Sequence, residues 1–194
     1  MILNEKRLVQ RLKKRDPLAF EQLVNRFQSQ VYNLVYRMIG NRAEAEDLSQ
    51  EVFVSIFKKI DGFRGDSSLS TWIYRITSNT CKNRQKYLGR RQARPLSPEM
   101  DGPELNGSKV VHTASPVTRP DELVEGYQTE RKIQEAIAEL EEDQRLILVL
   151  RDIQNVSYDD IATITGLPLG TVKSRLHRAR MSLKDKLAPY LRAK

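Results

Sequence analysis

The amino-acid sequence predicts an all-α protein built as two small helical domains joined by a flexible linker. Apolar residues recur at spacings of three and four along most of the chain, whereas alternating runs of β-branched residues, the usual sign of strands, are absent. Five of the eight prolines lie between positions 95 and 120, among glycines and serines, which indicates a linker. We therefore expect a first domain at 1–91, a linker at 92–126 and a second domain at 127–194.

Composition favours a folded protein with a polyanionic partner. The 194 residues are 39% hydrophobic and carry a formal net charge of +8, which points first to nucleic acid and second to an acidic membrane surface. The longest apolar run, at 146–150, is far shorter than the roughly 18 residues that cross a bilayer. We expect no membrane span, no signal peptide and a cytoplasmic location.

Cysteine and histidine are too scarce for most metal chemistry. Cys81 is the single cysteine, and His112 and His177 are the two histidines. An intramolecular disulfide and a Cys/His zinc cluster are therefore excluded. Because no cluster of carboxylates or histidines converges either, we expect no metal, no cofactor and no catalytic residue. Cys81 has the pattern of a buried structural thiol, and a redox-sensing role is the weaker alternative.

The first domain begins with two helices whose ends are marked. Asp16-Pro17 is a start signal, and an apolar stripe continues from it to Gly40. Asn41 starts the next helix, with Glu44 at capping-box spacing. Opposite the apolar side of that helix lie Asp47, Gln50, Glu51, Val54 and Lys58. Such a face is usually solvated surface, but an exposed Val54 among acids favours a docking surface; the pattern alone leaves both open.

A glycine-flanked loop follows and leads into a basic helix. Trp72 and Ile73 lie on its apolar side and are expected in the core. Phe63, beside Arg64 in the loop, is either a platform for an unstacked base or an aromatic folded back on the core, and the sequence does not decide between them. Further along, amide and cationic side chains of the kind that contact bases and phosphates are Asn79, Lys82, Asn83, Arg84, Lys86, Arg90 and Arg91.

The second domain has the outline of a helix-turn-helix. Ser157 and Asp160 form a capping box, Gly166 ends a short helix, and Leu167-Pro168 opens the last one. Val172, Leu176, Ala179 and Leu183 of that last helix face the core, and polar or basic residues face away. This composition suits a recognition helix in the major groove. A solvated basic helix is the alternative.

Four motifs together resemble bacterial extracytoplasmic-function (ECF) sigma factors. They are 45–53 (AEDLSQEVF), 63–66 (FRGD), 71–76 (TWIYRI) and 170–175 (GTVKSR), and the similarity spans nearly the whole chain apart from the linker. Their order and spacing are far more specific than any one of them. The resemblance implies a small alternative sigma subunit with two domains, sigma-2 and sigma-4, that directs RNA polymerase core enzyme to promoters.

The resemblance also implies roles for individual residues. The core-polymerase-binding face, which would contact the β′ clamp helices, comprises Asp47, Gln50, Glu51 and Val54. The part that captures a flipped base of the minus-10 element, on the nontemplate strand, comprises Phe63, Arg64, Ser67, Ser68, Arg75, Asn79, Lys82 and Asn83. The helix that reads the minus-35 duplex contributes Thr171, Lys173, Ser174, Arg175, His177 and Arg178.

The implied partners are RNA polymerase core, through its β′ clamp helices and β flap, promoter DNA, and an anti-sigma factor. The net-acidic linker would follow a path toward the active-site and RNA-exit channel. Basic residues gather at 75–94 and 171–186, on either side of acidic segments. This pattern predicts weak promoter binding by the free chain and strong binding once core polymerase sets the spacing of the domains.

Two other functions compete with this hypothesis. A stand-alone helix-turn-helix regulator would bind duplex operators, usually as a dimer. It would need a sensor or receiver domain in the first half, where neither a β/α alternation nor a ligand motif is present. A nuclease would need the convergent carboxylates or histidines that the sequence lacks. The leading hypothesis is a sigma factor, which is not an enzyme.

Overall fold

The computed structural model describes residues 2–92 and 120–191, and every regular element in these ranges is helical. This confirms the predicted all-α class. Eight α-helices are present in the described ranges: α1 (Ile2–Lys13), α2 (Pro17–Ile39), α3 (Arg42–Lys59), α4 (Leu69–Gln92), α5 (Pro120–Ala138), α6 (Glu142–Leu148), α7 (Tyr158–Thr165) and α8 (Leu169–Leu191).

The predicted start and end of α2 and the predicted start of α3 are confirmed, and each has a local physical cause. The Asp16 carboxylate accepts a hydrogen bond from the Leu18 backbone N–H, and Pro17 follows it at the first helical position. Gly40 ends α2 in the left-handed conformation, with φ of 85°. The Asn41 side chain accepts from the Glu44 N–H at 3.0 Å and so starts α3.

Helices α2, α3 and α4 pack on one another, and α1 packs against α2. The α2 stripe supplies fully buried side chains such as Leu23, Val31 and Leu34, against which Leu48 and Ile56 of α3 are also buried. Trp72 and Ile73 of α4 are buried as predicted. This bundle holds the outer faces of α3 and α4 at fixed positions.

A short loop between α3 and α4 closes the bundle. A 3-10 turn at Ile60–Gly62 leads into it. Ser68 ends it, because its hydroxyl accepts from the Thr71 N–H at 3.1 Å and so caps α4. Glu5 of α1 accepts from the Leu69 N–H at 2.8 Å, which ties α1 to the same helix start.

The second half folds around the predicted helix-turn-helix. Ser157 caps α7 by accepting from the Asp160 N–H at 3.1 Å, and Gly166 ends α7 with φ of 70°. Val172, Leu176 and Ala179 of α8 are buried, and Leu183 packs against them partly buried. The expected core-facing side of α8 is therefore confirmed.

A π-helical turn at Val149–Ile153 continues directly from α6. The Gln154 N–H donates to the Val149 carbonyl at 3.0 Å, one residue further back than in an α-helix. Asn155 follows with a positive φ of 55°, a conformation that asparagine tolerates better than most residues. This turn sets the direction in which the chain enters α7.

Helical structure extends into both ends of the predicted linker. Helix α4 continues to Gln92 and α5 begins at Pro120, whereas the linker was expected at 92–126. The acidic linker residues Glu99, Asp101 and Glu104, and His112, lie outside the described residues. The domain boundaries 1–91, 92–126 and 127–194 stay predictions.

The two halves are in direct contact, which the sequence did not predict. Helix α4 packs against α7, and α2 packs against α5, α6 and the π-helical turn. Their buried apolar side chains join in one cluster. Within the described ranges, no helix combines the length and apolar character that crossing a bilayer requires.

Candidate nucleic-acid interface

The outer face of α3 carries a shallow groove whose lining residues, except Val54, have polar or charged side chains. It has a volume of about 470 Å³ and is lined by Asp47, Gln50, Glu51, Val54, Ser55 and Lys58. The Val54 side chain lies open to solvent at 52% exposure, as the sequence predicted. An exposed apolar side chain between carboxylates is suited to contact with a protein surface that carries both apolar and basic groups.

One carboxylate of this groove is held from α4. Arg84 donates to Glu51 at 2.8 Å and lies 3.8 Å from Glu44. This ion pair joins the outer faces of α3 and α4, so it helps to fix the position of the groove relative to the basic helix α4. Asp47 and Gln50 are exposed beside it.

A second recess lies between the 3-10 turn and α4. It has a volume of about 440 Å³ and is lined by Lys59, Gly62, Trp72, Arg75, Ile76 and Asn79. Trp72 and Ile76 provide an apolar wall, while Arg75 and Asn79 are exposed at the rim. An apolar wall with amide and cationic groups at the rim can hold a flat heteroaromatic base and contact its edge and its phosphate.

The loop residues differ in their exposure. Phe63 is 7% exposed, and its ring centroid lies 5.3 Å from that of Trp72. Its ring therefore packs on the core beside the recess, and its role as a stacking platform stays a prediction. Arg64 and Ser68 are exposed and Ser67 is half-buried. Ser68 is occupied as the cap of α4, with its hydroxyl also 2.7 Å from that of Thr71.

The remaining predicted minus-10 residues divide between two faces of α4. Arg75, Asn79 and Asn83 are exposed. Lys82 faces the second half instead, where its ammonium group donates to Asp143 at 2.8 Å. The structure thus brings Arg75 and Asn79 to one recess and directs Lys82 elsewhere.

Helix α8 presents the predicted minus-35 residues at its N-terminal end. Lys173, Ser174, His177 and Arg178 are exposed, and Thr171 is half-buried. At Gly170 a Cβ atom would meet nothing within 4 Å, so the approach to the first turn is open. The free N–H groups of that turn and the basic side chains behind it favour a phosphate and a groove edge.

Arg175 is the exception on this helix. Its guanidinium donates to the Asp143 carboxylate on α6, the same carboxylate that Lys82 contacts. The hydrogen bond from Lys82, followed by the contacts with Arg175, lowers the pKa of Asp143, and partial burial opposes this. Asp143 therefore engages one predicted DNA-reading cation from each half.

Sequence reasoning missed several residues of these sites. The recess is also lined by Lys59, Gly62, Trp72 and Ile76. The sequence indicated only a core position for Trp72 and Ile76, and both side chains are indeed almost fully buried. From the sequence, Asp143 was indistinguishable from the other acidic residues of its segment. Nothing in its spacing pointed to Lys82, which is 61 residues away in the chain.

The titratable groups in the described residues form no group of three or more potential metal ligands. Cys81 is fully buried, and burial raises the pKa of its thiol to about 12. A thiol of this kind is protonated near neutral pH and reacts slowly. These observations fit the expected structural role of Cys81.

Comparison with known families matches both halves of the chain. Residues 23–92 match sigma-70 region 2, and residues 130–183 match sigma-70 region 4. The chain is 35% identical over 188 residues to the RNA polymerase sigma-H factor of Pseudomonas aeruginosa, covering 97% of this chain and 96% of that protein. It is 36% identical over 190 residues to the ECF RNA polymerase sigma-E factor of Escherichia coli K12, covering 98% and 97%.

Solved structures agree with these matches. The sigma factor RpoE of Bartonella quintana, in complex with the anti-sigma factor NepR, is similar with a TM-score of 0.65 at 26% identity, covering 87% of this chain and 96% of that one. CnrH, in complex with the cytosolic domain of CnrY, is similar with a TM-score of 0.68 at 19% identity, covering 95% and 97%. The second likeness supports the fold alone.

The family match decides between the functions that the sequence left in competition. A stand-alone regulator would not carry sigma-70 region 2 in its first half, and a sigma factor is an initiation factor, not an enzyme. The chain belongs to the sigma-70 family and is an alternative sigma factor of the extracytoplasmic-function group, which directs transcription initiation.

Proposed function

We propose that this sigma factor uses three separate surfaces during initiation. The groove on α3 binds core polymerase at its β′ clamp helices. The recess beside α4 captures unstacked minus-10 bases, and the N-terminal part of α8 reads the minus-35 duplex. The second half also contacts the β flap, and the protein acts in the cytoplasm, where it meets the polymerase.

The recess is the observation that carries the minus-10 proposal. A base can leave the duplex only if a binding site repays the unstacking, which costs a few kcal/mol. Trp72 and Ile76 offer an apolar wall to the base, and the Asn79 amide lies at the rim, where it can hydrogen-bond a base edge. Arg75 and Lys59 supply positive charge for the adjacent phosphates.

The docking proposal is supported by the groove on α3. Asp47, Gln50 and Glu51 provide carboxylates and an amide, and Val54 provides an apolar centre. Charged groups around an apolar centre are typical of protein interfaces, because the rim sets orientation while the centre contributes most of the affinity. The groove does not overlap the residues that line the recess.

An anti-sigma partner is supported by the solved relatives. RpoE of Bartonella quintana was solved with the anti-sigma factor NepR. We propose that a protein of that class also regulates this chain. The exposed acidic groove on α3 and the acidic face between positions 130 and 160 are its candidate contacts.

The test separates the three surfaces by the step that each one serves. Core polymerase with this protein is used to transcribe genomic DNA in vitro, and the promoters are identified by sequencing the transcripts. Asn79→Ala, Arg178→Ala and Val54→Asp are then compared on one such promoter, with Gln28→Ala, an exposed change on α2, as the control.

We expect a different defect from each variant. Asn79→Ala slows open-complex formation about tenfold, the loss of one base contact, and the defect shrinks on a template with a premelted minus-10 element. Arg178→Ala weakens duplex binding by a similar factor on both templates. Val54→Asp loses binding to core polymerase before any DNA step. Equal defects for Asn79→Ala on paired and premelted templates would overturn the capture proposal.

A further inference from the structure

We infer that the free protein is held closed by Asp143, which engages Lys82 of the first half and Arg175 of the second, and that promoter DNA competes with Asp143 for both cations. We call these three residues the Asp143 bridge. The inference rests on the proposed function in one respect, since that proposal names Lys82 and Arg175 as DNA-reading residues.

The bridge joins the two helices proposed to read DNA. Asp143 lies in the first turn of α6, one oxygen accepts from the Lys82 ammonium of α4 at 2.8 Å, and the other accepts from the Arg175 guanidinium of α8. The Lys82 and Arg175 side chains are 28% and 29% exposed, so both are largely covered in this arrangement. A phosphate that approaches either cation competes with the carboxylate for its N–H donors and for its positive charge.

The rest of the contact between the halves is also rich in polar groups. The Thr71 hydroxyl of α4 donates to Asp160 at 2.8 Å, and the Tyr74 hydroxyl donates to the Gln154 side chain at 3.1 Å. Arg37 of α2 pairs with Glu130 of α5 at 2.7 Å. Polar groups of this kind can exchange their partners for water, so breaking these contacts costs less than exposing the apolar side chains that the halves share.

At the C-terminal end of α2 the contacts between the halves are also polar. The Gln134 amide donates to the Tyr36 and Arg37 carbonyls at 3.4 and 3.3 Å, and Arg145 donates to the Met38 carbonyl at 2.8 Å. The Tyr36 carbonyl also accepts from the Gly40 N–H at 2.8 Å, and the carbonyls of the last turn are readily satisfied by water. Opening the structure therefore need not leave them buried without a partner.

Two buried polar atoms favour opening. Gln85 Oε1 and Arg145 Nε have no hydrogen-bond partner in the described part of the chain. Both residues donate to the Met38 carbonyl, so both lie where the halves meet. Such atoms destabilise the closed arrangement and would gain water on separation. Besides the buried apolar side chains that the two halves share, the closed state is thus held by charged contacts, and these are the contacts that DNA can replace.

The experiment measures opening and DNA binding separately in the full chain. Asn25→Cys on α2 and Lys184→Cys on α8, both at exposed positions, carry a donor and an acceptor dye. Cys81 stays unlabelled because it is fully buried. Asp143→Asn is introduced into this background. Asp152→Asn is the matched control: it removes one negative charge whose partner, Arg180, belongs to the same half.

We expect Asp143→Asn to lower the energy-transfer efficiency and to raise the affinity of the free chain for a promoter duplex about three- to fivefold, the factor for one partly exposed ion pair. Lys82→Gln should lower the efficiency in the same way. Asp152→Asn should change neither quantity beyond a small general charge effect.

An unchanged efficiency in both Asp143→Asn and Lys82→Gln would overturn the bridge. A lower efficiency without any gain in affinity would overturn the competition with DNA. Neither result depends on Asn79 or Arg178, so failure of the bridge is distinguishable from failure of the proposed function.

Discussion

The two surfaces proposed to meet DNA, one in each half, differ in shape. The first half has a recess with an apolar wall between a loop and α4, whereas the second half presents exposed side chains along the N-terminal part of α8. A base that has left its stack must be enclosed, but a major groove must be entered by something that protrudes. Under the proposed roles, the difference teaches that one all-α chain can accommodate both unstacked and duplex DNA by placing a loop before one helix and a tight turn before the other.

We expect the largest effect from truncating a buried side chain in either half, which tests whether the halves are separate folding units. Leu34→Ala in α2 and Leu176→Ala in α8 each remove a fully or almost fully buried side chain, at a cost of about 2 to 5 kcal/mol. Trp72 is the single tryptophan, so its fluorescence reports the first half, while far-UV circular dichroism reports both. In urea, Leu34→Ala should shift the Trp72 transition strongly and Leu176→Ala should shift it much less.

The control for this pair is Leu18→Ala, which truncates a side chain that is 67% exposed. It should move neither transition appreciably. Equal shifts of the Trp72 transition by Leu34→Ala and Leu176→Ala would mean that the halves unfold as one unit.

We expect a smaller effect on stability from removing either of two equivalent helix caps, one in each half. Asn41→Ala removes the acceptor for the Glu44 N–H, and Ser157→Ala removes the acceptor for the Asp160 N–H. Each should lower the free energy of unfolding by about 1 kcal/mol. Ser157→Ala should cost slightly more, since its hydroxyl also donates to Asp160 at 2.6 Å, and Asp160 accepts from Thr71 across the contact.

Urea denaturation followed by circular dichroism measures both cap variants. Asn41→Asp and Ser157→Thr retain a capping oxygen and should restore most of the loss. If Ser157→Ala left the free energy of unfolding unchanged, the start of α7 would be fixed by tertiary packing instead of by its cap.

The smallest expected effect concerns pH at the contact between the halves. The pKa of Asp143 is lowered below its ordinary value of 3.8, first by the hydrogen bond from Lys82. Its contribution to the closed arrangement is therefore fully present above that ordinary value and is lost only as the pH falls through the lowered pKa.

Energy transfer between the labelled halves should accordingly stay constant from about pH 5 to about pH 8 and decrease as salt is added, since salt screens partly exposed charges. A decrease between about pH 5 and about pH 7 at constant salt would instead point to a different titrating group.

Helix ends and helix faces could be predicted because their causes are local. Gly40, Asn41 and Ser157 end or start helices through contacts with residues only three or four positions away. The helical period of α8 alone distinguishes buried Leu176 from exposed Arg178. The exposed Val54 was predicted in the same way. These are features in which sequence neighbours determine each other's positions.

The recess and the contact between the halves have no such local cause. The recess depends on how the loop returns to α4, so the sequence could not decide whether Phe63 faces solvent or packs on Trp72. Asp143 meets Lys82 only after both halves have folded and come together. Sites assembled from distant segments leave no periodic signal in the sequence.

The π-helical turn at Val149–Ile153 has a consequence for insertions and deletions in this region. A π-helical turn accommodates one residue more than the α-helical path it replaces. Deleting a single residue there would let an α-helix form and would spare the hydrophobic pattern on either side. Conversely, one residue added to α8 would rotate all that follows by about 100° and disrupt its buried face. Length variation between relatives should therefore concentrate in the π-helical turn and avoid α8.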